Sequence, residues 1–142
     1  MMTNAGPFTR FRRLSREKRR LLLSATVILT AASAAVAVLP FRKAVRFGSV
    51  PLGPRRVVSI GECVWAVEAA ARRLPWRTMC IEKGLAVQRM LRTGGVEAVL
   101  HYGARHHPDS GKLEAHVWVT ADGRDVIGGE QAPDFARVAT YP

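Results

Sequence analysis

The sequence predicts an α+β fold, in which helices come first and a small antiparallel sheet follows. Apolar residues recur at steps of three and four through the middle of the chain, as on one face of a helix. From Val96 onward the pattern changes to short runs rich in β-branched and aromatic residues, and Asp122-Gly123 is a hairpin turn signal. Helices followed by strands are typical of the α+β class. The 142 residues are enough for one domain with one hydrophobic core.

The basic residues are concentrated at the N-terminal end of the chain. Residues 1–56 hold twelve Lys and Arg and one acid, Glu17, whereas residues 57–142 hold ten basic and ten acidic residues. We divide the chain into a basic tail (1–20), an apolar helix (21–41), a linker punctuated by Gly and Pro (42–56) and a neutral domain (57–142). The basic part carries no groove-reading motif, so we do not expect nucleic-acid binding. It is suited instead to contact with a partner or with an anionic membrane surface.

Residues 21–41 carry no charge and predict an apolar helix about 30 Å long at roughly 1.5 Å per residue, enough to cross a bilayer. Three interpretations stay open: a membrane span, a signal peptide, and a helix that is buried in the protein or lies on a membrane surface. Basic residues are more numerous before the segment than just after it, so a span would leave the rest of the chain outside the cytoplasm. The many Ala, Ser and Thr residues favour the buried or membrane-surface helix.

The first helix of the neutral domain is predicted from about Ser59 to Leu74. Ser59 with Glu62 three residues later is a capping box, and Pro75 ends the helix. One apolar stripe at steps of three and four consists of Ile60, Val64, Val67, Ala71 and Leu74.

The second helix of the domain, from Cys80 to about Arg92, begins on a cysteine and is stopped by Gly94-Gly95. A thiol at a helix N-terminus lies in the partial positive charge of the helix dipole, which favours the thiolate. Cys63 falls in the middle of the preceding helix, so we interpret it as a core residue. Cys80 is therefore the candidate nucleophile. Two cysteines are too few for a disulfide scaffold, and reduced thiols in the cytoplasm are the simpler expectation.

Strands are predicted over Val96–Tyr102 and Leu113–Thr120, with a short return strand over Asp125–Ile127. On the second strand, alternation places Glu114, His116, Trp118 and Thr120 on one face and Leu113, Ala115, Val117 and Val119 on the other. His116, held by its strand, is the candidate base for the thiol. His106 and His107 lie in a polar loop without a Cys or carboxylate at ligand spacing, so we expect neither a metal nor a cofactor.

Several short motifs carry a family resemblance. They are Leu39-Pro40-Phe41-Arg42-Lys43, Arg73-Leu74-Pro75, Cys80-Ile81, Arg92-Thr93-Gly94-Gly95 and Ala115-His116-Val117-Trp118. Over roughly residues 20–135 the chain resembles the stand-alone, transglutaminase-like cysteine proteases of lasso-peptide biosynthesis, which are bacterial leader peptidases. The resemblance implies a papain- or transglutaminase-like fold, with a nucleophile helix packed on a sheet that bears the histidine. It also implies cytoplasmic removal of the leader from a ribosomally made precursor.

The resemblance further implies an acid that orients the histidine, and here the chain departs from the family pattern. Gly128 occupies the position where an Asp is expected. Asp122 lies six residues beyond His116, roughly 20 Å along an extended strand, and Asp125 lies on the order of 13 Å from it across the hairpin. Neither reaches the imidazole easily.

Register leaves other candidates for the orienting group. A three-residue hairpin loop would pair His116 with Glu130, whereas a two-residue loop would place Gly129 opposite it. We therefore predict Glu130 as the third catalytic residue, with Gln131 as a neutral alternative. The Cys80 backbone N–H is the natural oxyanion donor, because the first N–H groups of a helix have no partner within it.

In this interpretation the Cys80 thiolate attacks the peptide carbonyl at the leader–core junction, and His116 passes the thiol proton to the leaving amine. The resemblance implies two partners besides the precursor peptide: a separately encoded leader-recognition protein and an asparagine-synthetase-like cyclase. Two alternatives stay open. One is acyl transfer from the same acyl-enzyme to an amine, and the other is a non-catalytic, membrane-associated adaptor of the same biosynthetic complex.

Overall fold

The computed structural model describes residues 6–142 and contains helices followed by one four-stranded antiparallel sheet. The strand order is β3-β2-β1-β4. The predicted α+β class is thereby confirmed. In chain order the elements are α1 (Pro7–Arg12), α2 (Arg16–Val38), α3 (Phe41–Ala44), a 3-10 turn (Val45–Phe47), α4 (Ile60–Arg73), α5 (Cys80–Thr93), β1 (Ala98–His106), β2 (Leu113–Ala121), β3 (Arg124–Ile127), a second 3-10 turn (Ala132–Asp134) and β4 (Ala136–Tyr141).

The ends of α4 and α5 lie close to their predicted positions because local signals set them. Ser59 is the N-cap of α4, and its hydroxyl accepts a hydrogen bond from the Glu62 N–H (3.4 Å). Leu74, the C-cap, has the extended conformation (φ −69°, ψ 143°) that the following Pro75 favours. At the end of α5, the Gly94 N–H donates to the Met90 carbonyl (3.0 Å), which closes the helix.

The largest differences between the sheet and its prediction are two. β1 runs to His106, four residues beyond the predicted end, and β4 was not predicted. β4 pairs with β1 from Leu100↔Tyr141 to Ala104↔Ala136, and β2 pairs with β1 as far as His106↔Leu113. Residues that look like loop in sequence become strand because neighbouring strands hydrogen-bond to them. The polar segment after β1 is therefore a tight turn, closed by the His107 N–H to the Lys112 carbonyl (2.7 Å).

One face of the sheet, which we call the helix face, packs against α5. Its residues include Leu100, Val117 and Val119, all buried. Gly84 of α5 allows the close approach, because a Cβ there would lie 3.0 Å from Leu100 Cδ1 and 3.0 Å from Val117 Cγ1. The core of the domain includes this layer and continues into the packing of α2 and α4 on α5.

α2 packs on α4 and α5, so the apolar helix is part of the folded domain. It begins at Arg16, inside the predicted basic tail, and ends at Val38, before Leu39-Pro40. By length and composition it is long and apolar enough to span a membrane. α3 and the 3-10 turn after it occupy the start of the predicted linker. The inward-facing, buried residues of α2 are Leu22, Ala25, Leu29, Ala32 and Ala35.

Candidate active site

Cys80 is the first residue of α5, as predicted. The preceding residue, Met79, is extended (φ −100°, ψ 173°), and its N–H donates to the Glu82 carboxylate (2.6 Å). The first main-chain hydrogen bond of the helix runs from the Lys83 N–H to the Met79 carbonyl (3.2 Å). The Cys80 N–H therefore lies before the helical ladder and points outward from its N-terminus, where an oxyanion would be stabilised.

Cys80 is half-buried and lines a cavity of about 290 Å³ between α4, α5 and the β2–β3 edge of the sheet. The lining of the cavity is mixed. The apolar residues are Val64, Val117, Val126 and Ile127, and the polar side chains are Glu68, Lys83 and Glu130. Lys83 follows the thiol by three residues on α5, and its Nζ is 3.2 Å from Glu68 Oε2. The cavity thus offers a thiol beside an internally neutralised ion pair.

The two cysteines have different environments. Cys63 is fully buried in α4, and burial raises the pKa of its thiol from 9.0 to about 11, with a smaller contribution from the Glu62 carboxylate. A thiol with so high a pKa is protonated at neutral pH and is not a nucleophile. The interpretation of Cys63 as a core residue is confirmed.

His116 lies on the other face of the sheet, which we call the ring face. Its ring stacks between Trp118 (centroids 6.1 Å apart, planes at 18°) and Phe135 (5.2 Å, 34°). The predicted alternation along β2 is confirmed, since Val117 and Val119 are directed towards Gly84 of α5. No hydrogen bond connects Cys80 to His116 in the structure of residues 6–142. The structure therefore places the thiol and the imidazole on different sides of β2.

Gly128 lies next to both the cavity that contains Cys80 and the imidazole of His116. It lines the cavity with Cys80, and its carbonyl oxygen is 2.7 Å from His116 Nε2. A carbonyl accepts only, so Nε2 carries the hydrogen and Nδ1 of the neutral ring is the free acceptor. The family pattern has an Asp at this position, and Gly128 provides its main-chain carbonyl oxygen to the imidazole in place of a carboxylate. Gly128 has φ +76°, and a Cβ there would lie 2.7 Å from the Val117 carbonyl oxygen, which explains the glycine.

Glu130, the predicted orienting acid, is exposed and lines the cavity at Cys80. The hairpin loop has two residues, because Ala121 pairs with Arg124, and a bulge then brings Val119 opposite Ile127. β3 ends at Ile127, so the ladder does not reach Glu130. Glu130 thus lines the same cavity as the Cys80 thiol, and the hydrogen-bond partner of the imidazole is the Gly128 carbonyl. The orienting role of Glu130, or of Gln131 beside it, stays a prediction.

The two aspartates of the hairpin have other surroundings. Asp122 Oδ2 is 2.9 Å from Arg56 Nη1, an exposed ion pair that connects the hairpin to the segment before α4. Asp125 is close enough to His101 to act on the pKa of that ring. Neither is hydrogen-bonded to His116 in the described part of the chain.

Sequence reasoning did not foresee that His101 and Phe135 complete the ring face. His101 pairs with Trp118 across β1 and β2, stacks on it (5.4 Å, 20°), and its Nε2 is 2.8 Å from Thr120 Oγ1. Burial, followed by the Arg137 charge, lowers the pKa of His101 below 6.5, and the Asp125 carboxylate opposes this. The only signal for this contact in the sequence was the register between β1 and β2. That register depends on the length of the turn that joins the two strands.

Comparison with known proteins places the sequence in a family. A family model described as the transglutaminase-like superfamily matches residues 21–140, from α2 into β4. The match includes most of α2, all of α4, α5 and strands β1 to β3, and β4 except its last residue. No curated protein and no solved structure gave a match.

Proposed function

The chain belongs to the transglutaminase-like superfamily, whose members are typically cysteine-dependent enzymes, and from this membership we propose that it is a cysteine peptidase with Cys80 as the nucleophile. One observation carries the proposal. The half-buried cysteine of the domain is the first residue of a helix and lines a cavity, whereas the other cysteine is fully buried. A helix N-terminus supplies both the field that favours a thiolate and an N–H for the oxyanion.

In the proposed mechanism, the Cys80 sulfur attacks the carbonyl carbon of the substrate and the Cys80 N–H donates to the oxyanion. His116 takes the thiol proton and gives it to the leaving amine, and water then hydrolyses the thioester. The Gly128 carbonyl supports this role by fixing Nε2 as the protonated nitrogen, which leaves Nδ1 for the thiol. The imidazole has to reach Cys80 past the strand edge at Gly128, and catalytic hydrogen bonds often tighten only when substrate binds.

We propose a leader peptide as the substrate, on the basis of the motifs that resemble lasso-peptide leader peptidases. The cavity of about 290 Å³ suits one or two side chains beside the scissile bond but not an extended leader. A separate leader-recognition protein would supply the missing surface, and an asparagine-synthetase-like cyclase would take the released core. In this proposal the reaction takes place in the cytoplasm.

Two other functions are compatible with the family. Acyl transfer would use the same thioester, with an amine in place of water. A non-catalytic adaptor is favoured by one observation, namely that Cys80 and His116 lie on different sides of β2.

The test is to incubate the purified protein and its leader-recognition partner with the precursor peptide and to identify the products by mass spectrometry. Cleavage at a single junction is expected, and it should disappear in Cys80→Ala. Cys63→Ala is the matched control, because it removes a buried thiol of the same domain and should still cleave. A product joined to an amine would indicate acyl transfer. An intact precursor with the wild-type protein and its partner would refute the peptidase and favour the adaptor.

A further inference from the structure

α2 has a second apolar face that the domain does not cover. Its exposed residues recur at steps of four, four, three and four, so they lie along one side of the helix. We call this the outer stripe, and it consists of Leu23, Val27, Ala31, Ala34 and Val38. Leu23 is 56% exposed, Val27 68% and Val38 77%, although comparable residues on the inner face are buried. An uncharged stripe of this length on a domain surface is typical of an interaction site.

Basic residues flank the outer stripe. Arg16 and Arg20 are exposed and continue it at its N-terminal end, at helical spacing from Leu23. Arg42 and Lys43 follow its C-terminal end, and both are exposed. Glu17 is the single acid in the first 56 residues, whereas residues 57–142 are neutral overall. Exposed basic residues therefore precede the stripe on the same helix and follow it in the chain, and the residues of the stripe between them are apolar.

Two threonine hydroxyls near the outer stripe are satisfied within the helix. Thr26 Oγ1 donates to the Leu22 carbonyl (2.8 Å), and Thr30 Oγ1 donates to the Thr26 carbonyl (2.7 Å). Hydroxyls that are bonded in this way do not need water or a protein partner, which lowers the cost of an apolar environment. A protein interface, in contrast, typically contains hydrogen bonds across a polar rim.

The contacts of the inner face favour a helix that stays packed on the folded domain over one that crosses a membrane. α2 is packed along its length on α4 and α5. Towards its C-terminal end, Trp76 Nε1 donates to Ser33 Oγ (3.1 Å), and at its start Lys18 Nζ lies 5.7 Å from the centre of the Trp65 ring. A helix fixed along its length to a polar domain can lie on a bilayer but not cross it.

We infer that the outer stripe of α2 binds an anionic membrane surface, with the helix axis parallel to the bilayer plane and Arg16, Arg20, Arg42 and Lys43 at the lipid headgroups. The apolar side chains enter the boundary between headgroups and acyl chains, and the basic ends contact the anionic headgroups. The inference goes beyond the proposed peptidase function and does not depend on it.

Sedimentation of the full-length protein with lipid vesicles tests the inference. We expect binding to vesicles of equal parts phosphatidylglycerol and phosphatidylcholine, weak binding to phosphatidylcholine alone, and release by carbonate. Val27→Glu should weaken binding to the anionic vesicles about ten-fold or more, because it places a charge in the apolar stripe. Leu113→Glu is the control: Leu113 is 70% exposed, as Val27 is 68%, but it lies at the start of β2.

Arg16→Gln with Arg20→Gln is a second variant, which keeps the test valid if Val27→Glu does not fold. It should also reduce binding to the anionic vesicles about ten-fold or more. The inference is overturned if the wild type binds neither vesicle, binds both equally, or resists carbonate as a spanning helix would. It is also overturned if Val27→Glu leaves vesicle binding unchanged but disrupts a complex with a partner protein.

Discussion

The two faces of the sheet differ in the kind of interaction that covers them. The helix face is apolar and packed by α5, the element immediately before β1 in the chain. The ring face carries His101, Trp118 and His116 in a row of stacked rings that ends at Phe135, with the Arg105 guanidinium 4.7 Å from the last ring. The helix face maintains the fold, whereas the ring face holds the imidazole of His116 in a defined orientation. The edge at Gly128 is where the two meet.

The largest expected effect is a loss of activity, caused by a substitution on the ring face. In the peptidase assay, His116→Gln should lower the cleavage rate about 100- to 10,000-fold, the usual contribution of a general acid–base group. His101→Gln is the matched control, since His101 stacks on the same Trp118 ring and should retain cleavage within a few-fold. Equal losses in both variants would mean that the ring face is structural and that His116 is not the base.

The next largest expected effect is a loss of stability, caused by a substitution on the helix face. Leu100→Ala removes a fully buried side chain that contacts α5 and should lower the free energy of unfolding by about 2–5 kcal/mol in urea denaturation. Val138→Ala on β4 removes a side chain that is 64% exposed and should change it by less than about 0.5 kcal/mol. A small loss in Leu100→Ala would contradict the assignment of the core to this face.

A smaller effect is expected at the edge where the faces meet. Gly128→Ala places a Cβ 2.7 Å from the Val117 carbonyl oxygen at φ +76°, and we expect a loss of about 1–3 kcal/mol in thermal or urea unfolding. Gly123→Ala is the control, because Gly123 has a similar φ of +72° but open space around its Cβ. The difference between the two variants measures the close contact alone. If they lose the same amount, the contact at Gly128 contributes nothing.

The smallest effect is a pH dependence from His101. Its pKa is lowered in the folded state by burial and by Arg137, so the unfolded chain binds the proton first as the pH falls. His101 therefore does not lower the free energy of unfolding above pH 6.5. It lowers this free energy as the pH falls below that value. His101→Gln should make the free energy of unfolding between about pH 7 and pH 5.5 flatter than in the wild type. An unchanged slope would show that His101 is not the group that titrates.

Several features of the fold could be predicted because they depend on neighbours in sequence. The cap at Ser59, the stop at Pro75 and the placement of Cys80 at the start of a helix follow from side chains within one turn of the residue concerned. The division of β2 into two faces follows from the period of two in any strand. The nucleophile candidate and the α+β class were therefore within reach of the sequence.

The remaining features depend on residues far apart in the chain, and only the tertiary structure decided them. β4 forms because it can pair with β1. The two-residue hairpin loop pairs Ala121 with Arg124, but the bulge between Val119 and Thr120 shifts the register, so that Val119 lies opposite Ile127. The carbonyl of Gly128, rather than an acid, then reaches His116, while α5 sets Cys80 on the opposite side of β2. Local periodicity determines which face a residue takes, but the contacts across that face are determined by long-range pairing, which no short motif encodes.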